Sequence, residues 1–335
     1  MAAATTRTPS ALPAVDDGYF PASTSMLRRV QGERRVGLMY GQRALTIGAI
    51  KPLNYVGTTE HSGHKGDPFQ RLTRTAKSFE TIFFGSKADA DRILSRVRKM
   101  HARVNGELPQ SEGIYPAGTP YDAFDGAMML WTVAAMMDSA EVMHDLLVRQ
   151  LTGEEREALW QDYRRFALLF GTPEEVLPAD YPAFRAYYEA ELVAANNHLT
   201  EQAHYVGWFA SFAIPSPTLK GPLLEAHNLV IRGSLPESVR ALYGLEWSRR
   251  DQLRFDLICR TQRVTRRVTP EPIARGWNTK IFNGIAGEER KRLRAGRETP
   301  HIRPDGSPGT GYPLMRPEDQ ARQPGSGKQA SQPAS

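Results

Sequence analysis

Between residues 67 and 106 apolar side chains recur at alternating intervals of three and four. Phe69, Leu72, Ala76, Phe79 and Phe83 form one stripe, and Ala90, Ile93, Val97, Met100 and Val104 form a second. That period is helical, so each stripe marks the buried face of an amphipathic helix. Punctuation agrees: Pro68 after Asp67 opens the first helix, Gly85 stands where a left-handed cap is expected, and Ser86 starts a second helix expected to end at Gly106. Further along, Thr152 and Glu155 have capping-box spacing before Leu159, Tyr163, Phe166 and Phe170, with Gly171 as the stop. Ser234 with Glu237 and Ser248 with Asp251 repeat that spacing, and Pro182, Pro215, Pro217 and Gly233 bound helices expected at 181–195, 200–213 and 218–232. From Ala127 to Met137 the chain is apolar nearly all round, which predicts a helix buried on every side whose methionines serve packing. No run alternates like a strand and no internal repeat is visible. The pattern predicts an all-α protein.

Composition sets the boundaries. A chain of 335 residues with 40% hydrophobic and 24% charged residues has enough apolar material for one large helical domain. Residues 1–22 are rich in Ala, Thr and Pro without periodicity, and Pro, Gly, Ser and Gln dominate from 296 to 335. The expected division is therefore a flexible N-terminal segment, a helical domain over 23–295 and a disordered tail.

The net charge of +6, from 43 basic and 37 acidic residues, is a modest surplus and does not by itself imply nucleic acid. Its densest run, Arg260, Arg263, Arg266 and Arg267, reads as one solvated helix stripe. A single cysteine, Cys259, cannot form an intramolecular disulfide, and no stretch is apolar enough for a signal core or a membrane span. A reducing cytoplasm is the expected location.

The second stripe carries the chemistry. His101 lies four residues after Val97 and three before Val104, so it is expected to face inward. A lone inward histidine is more often a satisfied core residue than a ligand. Here, however, Arg98 lies one turn earlier on the same side, and Arg71, Arg74 and Thr75 form a polar edge on the preceding helix. Clustered guanidinium groups near an imidazole need anionic partners. Haem meets both needs, because its iron takes an axial imidazole and its propionates accept charge-assisted bonds from arginine.

These residues resemble a known family. The ordered series Glu60-His61-Ser62, Asp67-Pro68, Arg71-Leu72-Thr73-Arg74-Thr75, Phe84-Gly85, Arg98 with His101, and Val104 to Gly106 is similar to the haem-b oxygenases, which include bacterial rubber oxygenases and the fungal oxygenase of mycophenolic acid biosynthesis. The likeness continues through Tyr115, Asp122, Asp125, Trp131, Leu169-Phe170-Gly171 and Leu242 to Trp247, over residues 28–295. It implies a globin-like helical core, haem b held by His101 as the axial iron ligand with Arg98 beside it, and Arg71, Arg74 and Thr75 on the distal side. It also implies O₂ and an apolar, unsaturated isoprenoid-like or secondary-metabolite substrate as the reactants. Glu60 and His61 stand as acid/base groups near the distal side, although a loop turn accounts for them equally well.

Three departures from the resemblance are visible. Arg74 replaces a lysine that caps the iron in rubber oxygenases, and arginine ligates metals poorly. Lys51 and Val133 stand where many bacterial relatives have histidines. Four other readings compete. A thiolate-bound haem on Cys259 has no glycine-rich approach, and His61 with His64 lacks the further ligands of a zinc site. A Mg²⁺-dependent terpene cyclase is imitated by Asp122 with Asp125 and by Asn197 with Glu201, but N-capping accounts for the aspartates. A non-catalytic haem sensor or carrier has the same site residues.

Overall fold

The computed structural model describes residues 17–60 and 67–310. Helices dominate: α1 (Met26–Gln31), α2 (Arg34–Gly48), α3 (Pro52–Glu60), α4 (Pro68–Phe84), α5 (Lys87–His101), α6 (Gly126–Leu147), α7 (Gly153–Phe170), α8 (Tyr181–Leu192), α9 (Glu201–Phe212), α10 (Pro222–Ser234), α11 (Glu237–Leu242), α12 (Arg249–Val268), α13 (Glu271–Ala274) and α14 (Thr279–Arg294). Among the described residues the sheets are two antiparallel hairpins, β1 (Asn105–Glu107) with β2 (Pro120–Asp122) and β3 (Pro300–Ile302) with β4 (Pro308–Thr310). The protein is all-α, as the periodicity predicts. No described helix is long and apolar enough to cross a membrane.

Helix α6 is the axis of the bundle. From Met129 to Glu141 every residue is buried except Thr132, as expected of a segment apolar on all sides. Helix α2 lies along it, and Trp131 Nε1 donates to the Gly48 carbonyl at the end of α2 (3.3 Å). A charged pair, Arg43 and Asp138, sits in this core. Asp138 accepts from Arg43 Nη1 (2.5 Å), Arg185 Nη1 (2.5 Å) and Tyr188 Oη (2.8 Å). Burial pushes its carboxyl up, but the two guanidinium groups outweigh that and hold it below the ordinary value.

Helices α4 and α14 cap one another. Glu289 of α14 accepts from the backbone N–H groups of Phe69 (2.9 Å) and Gln70 (2.8 Å) in the first turn of α4. In return, Glu80 of α4 accepts from the Asn278 backbone N–H and the Thr279 hydroxyl at the start of α14. Each carboxylate sits at the N-terminal end of the other helix, where backbone N–H groups are short of intrahelical acceptors.

Several boundaries differ from the sequence reading. Gly85 caps α4 in an extended conformation (φ −84°, ψ −179°), not a left-handed one. Helix α5 ends at His101 instead of Gly106. Gly106 belongs to β1, where Tyr121 lies so close that a Cβ would sit 2.9 Å from its hydroxyl. Met100, assigned to the buried stripe, is 55% exposed because α5 packs only its first turns inward. Ser234 closes α10 by donating to the Ile231 carbonyl instead of capping α11, whereas the Thr152 and Ser248 capping boxes form as expected.

The arginine run is not one solvated stripe: Arg263 donates to the Asp145 carbonyl (3.4 Å), Arg266 pairs with buried Glu33 (2.7 Å), and Arg260 and Arg267 are exposed. Order also extends beyond the expected 23–295 domain. Phe20 is fully buried edge-on against Phe83 (5.9 Å), and the β3–β4 hairpin packs His301 against Tyr205 of α9 (4.8 Å). Residues 1–16 and 311–335, the outer parts of both terminal segments, lie outside the described residues.

Candidate active site

Six helices, α2, α3, α4, α6, α9 and α14, line an apolar cavity of about 330 Å³, within the usual range for a small-molecule site. Its walls include Leu45 of α2, Leu72, Ala76 and Phe79 of α4, Met136 of α6, Phe209 of α9 and Ile285 of α14. The room comes from α2, whose small residues Gly37, Gly41, Ala44 and Gly48 fall on one face and line the cavity. A Cβ placed on Gly41 would meet nothing within 4 Å. Each helical glycine costs about 0.8–1.0 kcal/mol relative to alanine, so a glycine facing empty space needs a reason other than packing. The cavity also explains Thr132, the exposed position on otherwise buried α6, because Thr132 is part of its wall.

Polar groups in the wall are few. Thr132 Oγ1 donates to the Met128 carbonyl (3.0 Å) and accepts from Asn54 Nδ2 (3.3 Å). Gln42 has its Oε1 buried with no hydrogen-bond partner among the described residues, leaving an acceptor ready for a ligand donor. Burial lifts the Tyr55 hydroxyl well above its ordinary range while the neighbouring Arg71 pulls the other way.

The expected site residues divide into two groups. Arg71, half-buried, and Thr75 line the cavity, while Arg74 is exposed and is not part of its wall. His101 is not in the wall either. It ends α5, half-buried, with its ring edge-on to Phe170 (5.3 Å) and Phe124 (6.2 Å) and no hydrogen-bond partner among the described residues. Burial lowers its pKa, which favours the neutral imidazole.

A continuous run of rings joins the two groups: Phe170 meets Phe166 at 5.6 Å, and Phe166 meets Phe79, a cavity residue, at 5.9 Å. Arg98 is exposed one turn before His101, its guanidinium directed toward Gly171. Glu60 is the last residue of α3, and His61 lies outside the described residues. The sequence reading did not include Gln42, Thr132 or the α2 wall. The spacing of four, three and four among Gly37, Gly41, Ala44 and Gly48 is the signal that points there.

The thiolate and cyclase readings find no support, and the His61–His64 pair lies outside the described residues. Burial pushes the Cys259 thiol up to about 12, so it is no thiolate. Asp125 Oδ1 caps α6 through Met128 N–H (2.9 Å), and Asp122 Oδ1 accepts from Phe124 N–H (2.8 Å), so both aspartates serve local backbone. Lys51 is buried and paired with Glu191 (2.5 Å) and Asn196 (2.7 Å). A shallower depression of about 550 Å³ beside β1 and β2 is rimmed by Glu107, Asp122 and Asp125. Its acidic rim is unsuited to an anionic ligand.

The profile of the family described as ER-bound oxygenase mpaB/B'/rubber oxygenase, catalytic domain, matches residues 28–264. The chain belongs to the mpaB/rubber oxygenase family. This is a family of oxygenases, and the match spans all the helices around the cavity except α14. Among curated proteins, the chain is similar to an uncharacterized protein of Mycobacterium tuberculosis and its counterpart in Mycobacterium bovis. Each is 26% identical over 232 residues, covering 69% of this chain and 86% of the relative. No solved structure matches the chain.

Proposed function

We propose that this member of the family is a haem-b-dependent oxygenase that acts with O₂ on an apolar, unsaturated isoprenoid-like or secondary-metabolite substrate in the cytoplasm. The observation that carries the reading is His101. It is an imidazole with no hydrogen-bond partner among the described residues, its neutral form favoured by burial, and the packed rings of Phe170 and Phe166 stand between it and the cavity-wall residue Phe79. An imidazole kept neutral by desolvation is ready to ligate iron without first losing a proton. Arg98 and Arg71 supply guanidinium donors of the kind that neutralise propionates.

When bound, the haem supplies an iron that activates O₂. The protein's part is the rest. Phe79, Phe209 and Met136 exclude water and hold an apolar chain in the cavity. Thr75, in the cavity wall, and Arg74, exposed beside it on α4, are assigned the distal hydrogen bonds, and the Arg74 guanidinium would donate to a bound ligand instead of ligating a metal because it keeps its protons. Glu60 and His61 are assigned the proton transfers, with the Glu60 carboxylate accepting and the His61 imidazole relaying.

The test is oxygen uptake by haem-loaded protein given an unsaturated isoprenoid. Consumption matched by cleaved or oxygenated product is expected. Haem-loaded protein that consumes no O₂ with any unsaturated apolar compound would leave the sensor or carrier reading in its place.

A further inference from the structure

Helix α12 turns its apolar residues the wrong way for a soluble bundle. Its inner face is anchored by buried Phe255 and Cys259 and by the Arg266–Glu33 pair. On its outer face Leu253, Leu257, Val264 and Val268 are 65%, 66%, 53% and 80% exposed. Their spacing of four, seven and four places them along one line of the helix. Arginines flank that ridge on both sides. Arg249, Arg250, Arg260 and Arg267 are exposed and carry no ion pair among the described residues, and Asp256 is the one acid at an exposed position of α12.

We propose that α12 docks the protein on an anionic membrane surface, its Leu253–Val268 ridge lying among the lipid chains and its flanking arginines against lipid phosphates. A helix lying in the interface plane needs this arrangement: an apolar line for the acyl boundary and cationic groups at headgroup level. A second copy of the chain is the poorer partner, because a two-fold contact along the ridge would set the same arginines against each other. The inference does not depend on haem. If the proposed function also holds, the bilayer is the medium that dissolves the apolar substrate.

Co-sedimentation of the full chain with vesicles tests this. The protein is expected to pellet with vesicles of phosphatidylcholine and phosphatidylglycerol, to be released by added salt, and to ignore phosphatidylcholine alone. The double variant Leu253→Glu/Leu257→Glu should lower binding by at least about tenfold, and Arg260→Glu/Arg267→Glu should also lower it. All four positions are exposed, so both variants should melt like the parent. Three results would overturn the proposal: no pelleting with the anionic vesicles, undiminished binding by the leucine variant, or a dimer in analytical ultracentrifugation that the leucine variant dissolves while vesicles bind nothing.

Discussion

Gly41 and His101 represent the two halves of the candidate site, one making room and the other offering a ligand. Because the missing Cβ of Gly41 faces open space, Gly41→Ala is expected to raise stability by about 0.5–1 kcal/mol through backbone entropy alone. Gly41→Phe should place a ring in the cavity. It should keep the helix content and melting point while reducing uptake of an apolar fluorescent probe by tenfold or more. Unimpaired uptake by the phenylalanine variant would mean that ligands go elsewhere.

The arginines are tested at the same scale. Arg98→Ala and Arg71→Ala should each weaken haem retention by about 1.5–3 kcal/mol, the range for a charge-assisted hydrogen bond, as read by transfer of haem to an excess of apomyoglobin. Transfer as slow from both variants as from the parent would put these guanidinium groups in solvent.

The reciprocal caps of α4 and α14 carry a pH dependence. Burial pushes the Glu289 carboxyl up to about 7, against the opposing pull of its bonds from Phe69 and Gln70, and Asp67 adds to the rise. Between its unfolded value of 4.5 and about 7, the folded chain keeps a proton that the unfolded chain has released. This site therefore lowers stability as pH rises through that window. Glu289→Gln stays neutral and keeps a carbonyl acceptor for both N–H groups. It should melt higher than the parent above pH about 7, with the difference shrinking toward pH 4.5. A variant that melts lower above neutrality would show that the charged cap outweighs its burial.

The same elements show what a sequence makes legible. The capping boxes at Thr152 and Ser248 and the buried run of α6 depend on neighbours within a turn or two, and they form as the pattern predicts. The early end of α5 and the cap on α4 depend on Tyr121 and Glu289, which are remote in sequence, and local spacing does not encode them. Arg71 and Thr75 were readable as a polar edge beside an apolar stripe and do reach the cavity. Thr132 was not, because one threonine in an apolar run looks the same whether it faces a neighbour or a void.

Across the whole molecule, one ionic cluster joins α2, α6 and α8 at the centre of the bundle. Arg43, with a side chain 3% exposed, is bonded to Asp138, Ser139 and the Ser234 carbonyl. Removing Arg43 leaves the buried Asp138 with Arg185 and Tyr188 alone, so Arg43→Met should cost about 3 kcal/mol in urea unfolding, the low end for a broken buried pair. A loss below about 1 kcal/mol would show that water reaches Asp138. The cluster ties α6 to α2 and α8, and with α6 the Thr132 side of the cavity.

The most direct test of the account is the ultraviolet–visible spectrum of the protein purified from cells supplied with iron and haem precursor, compared with that of His101→Ala. The account predicts a Soret band in the parent and its near-complete loss in the variant, with far-ultraviolet circular dichroism unchanged because His101 is the last residue of α5 and only half-buried. A parent protein without a Soret band, or a variant with full haem occupancy, would contradict the assignment.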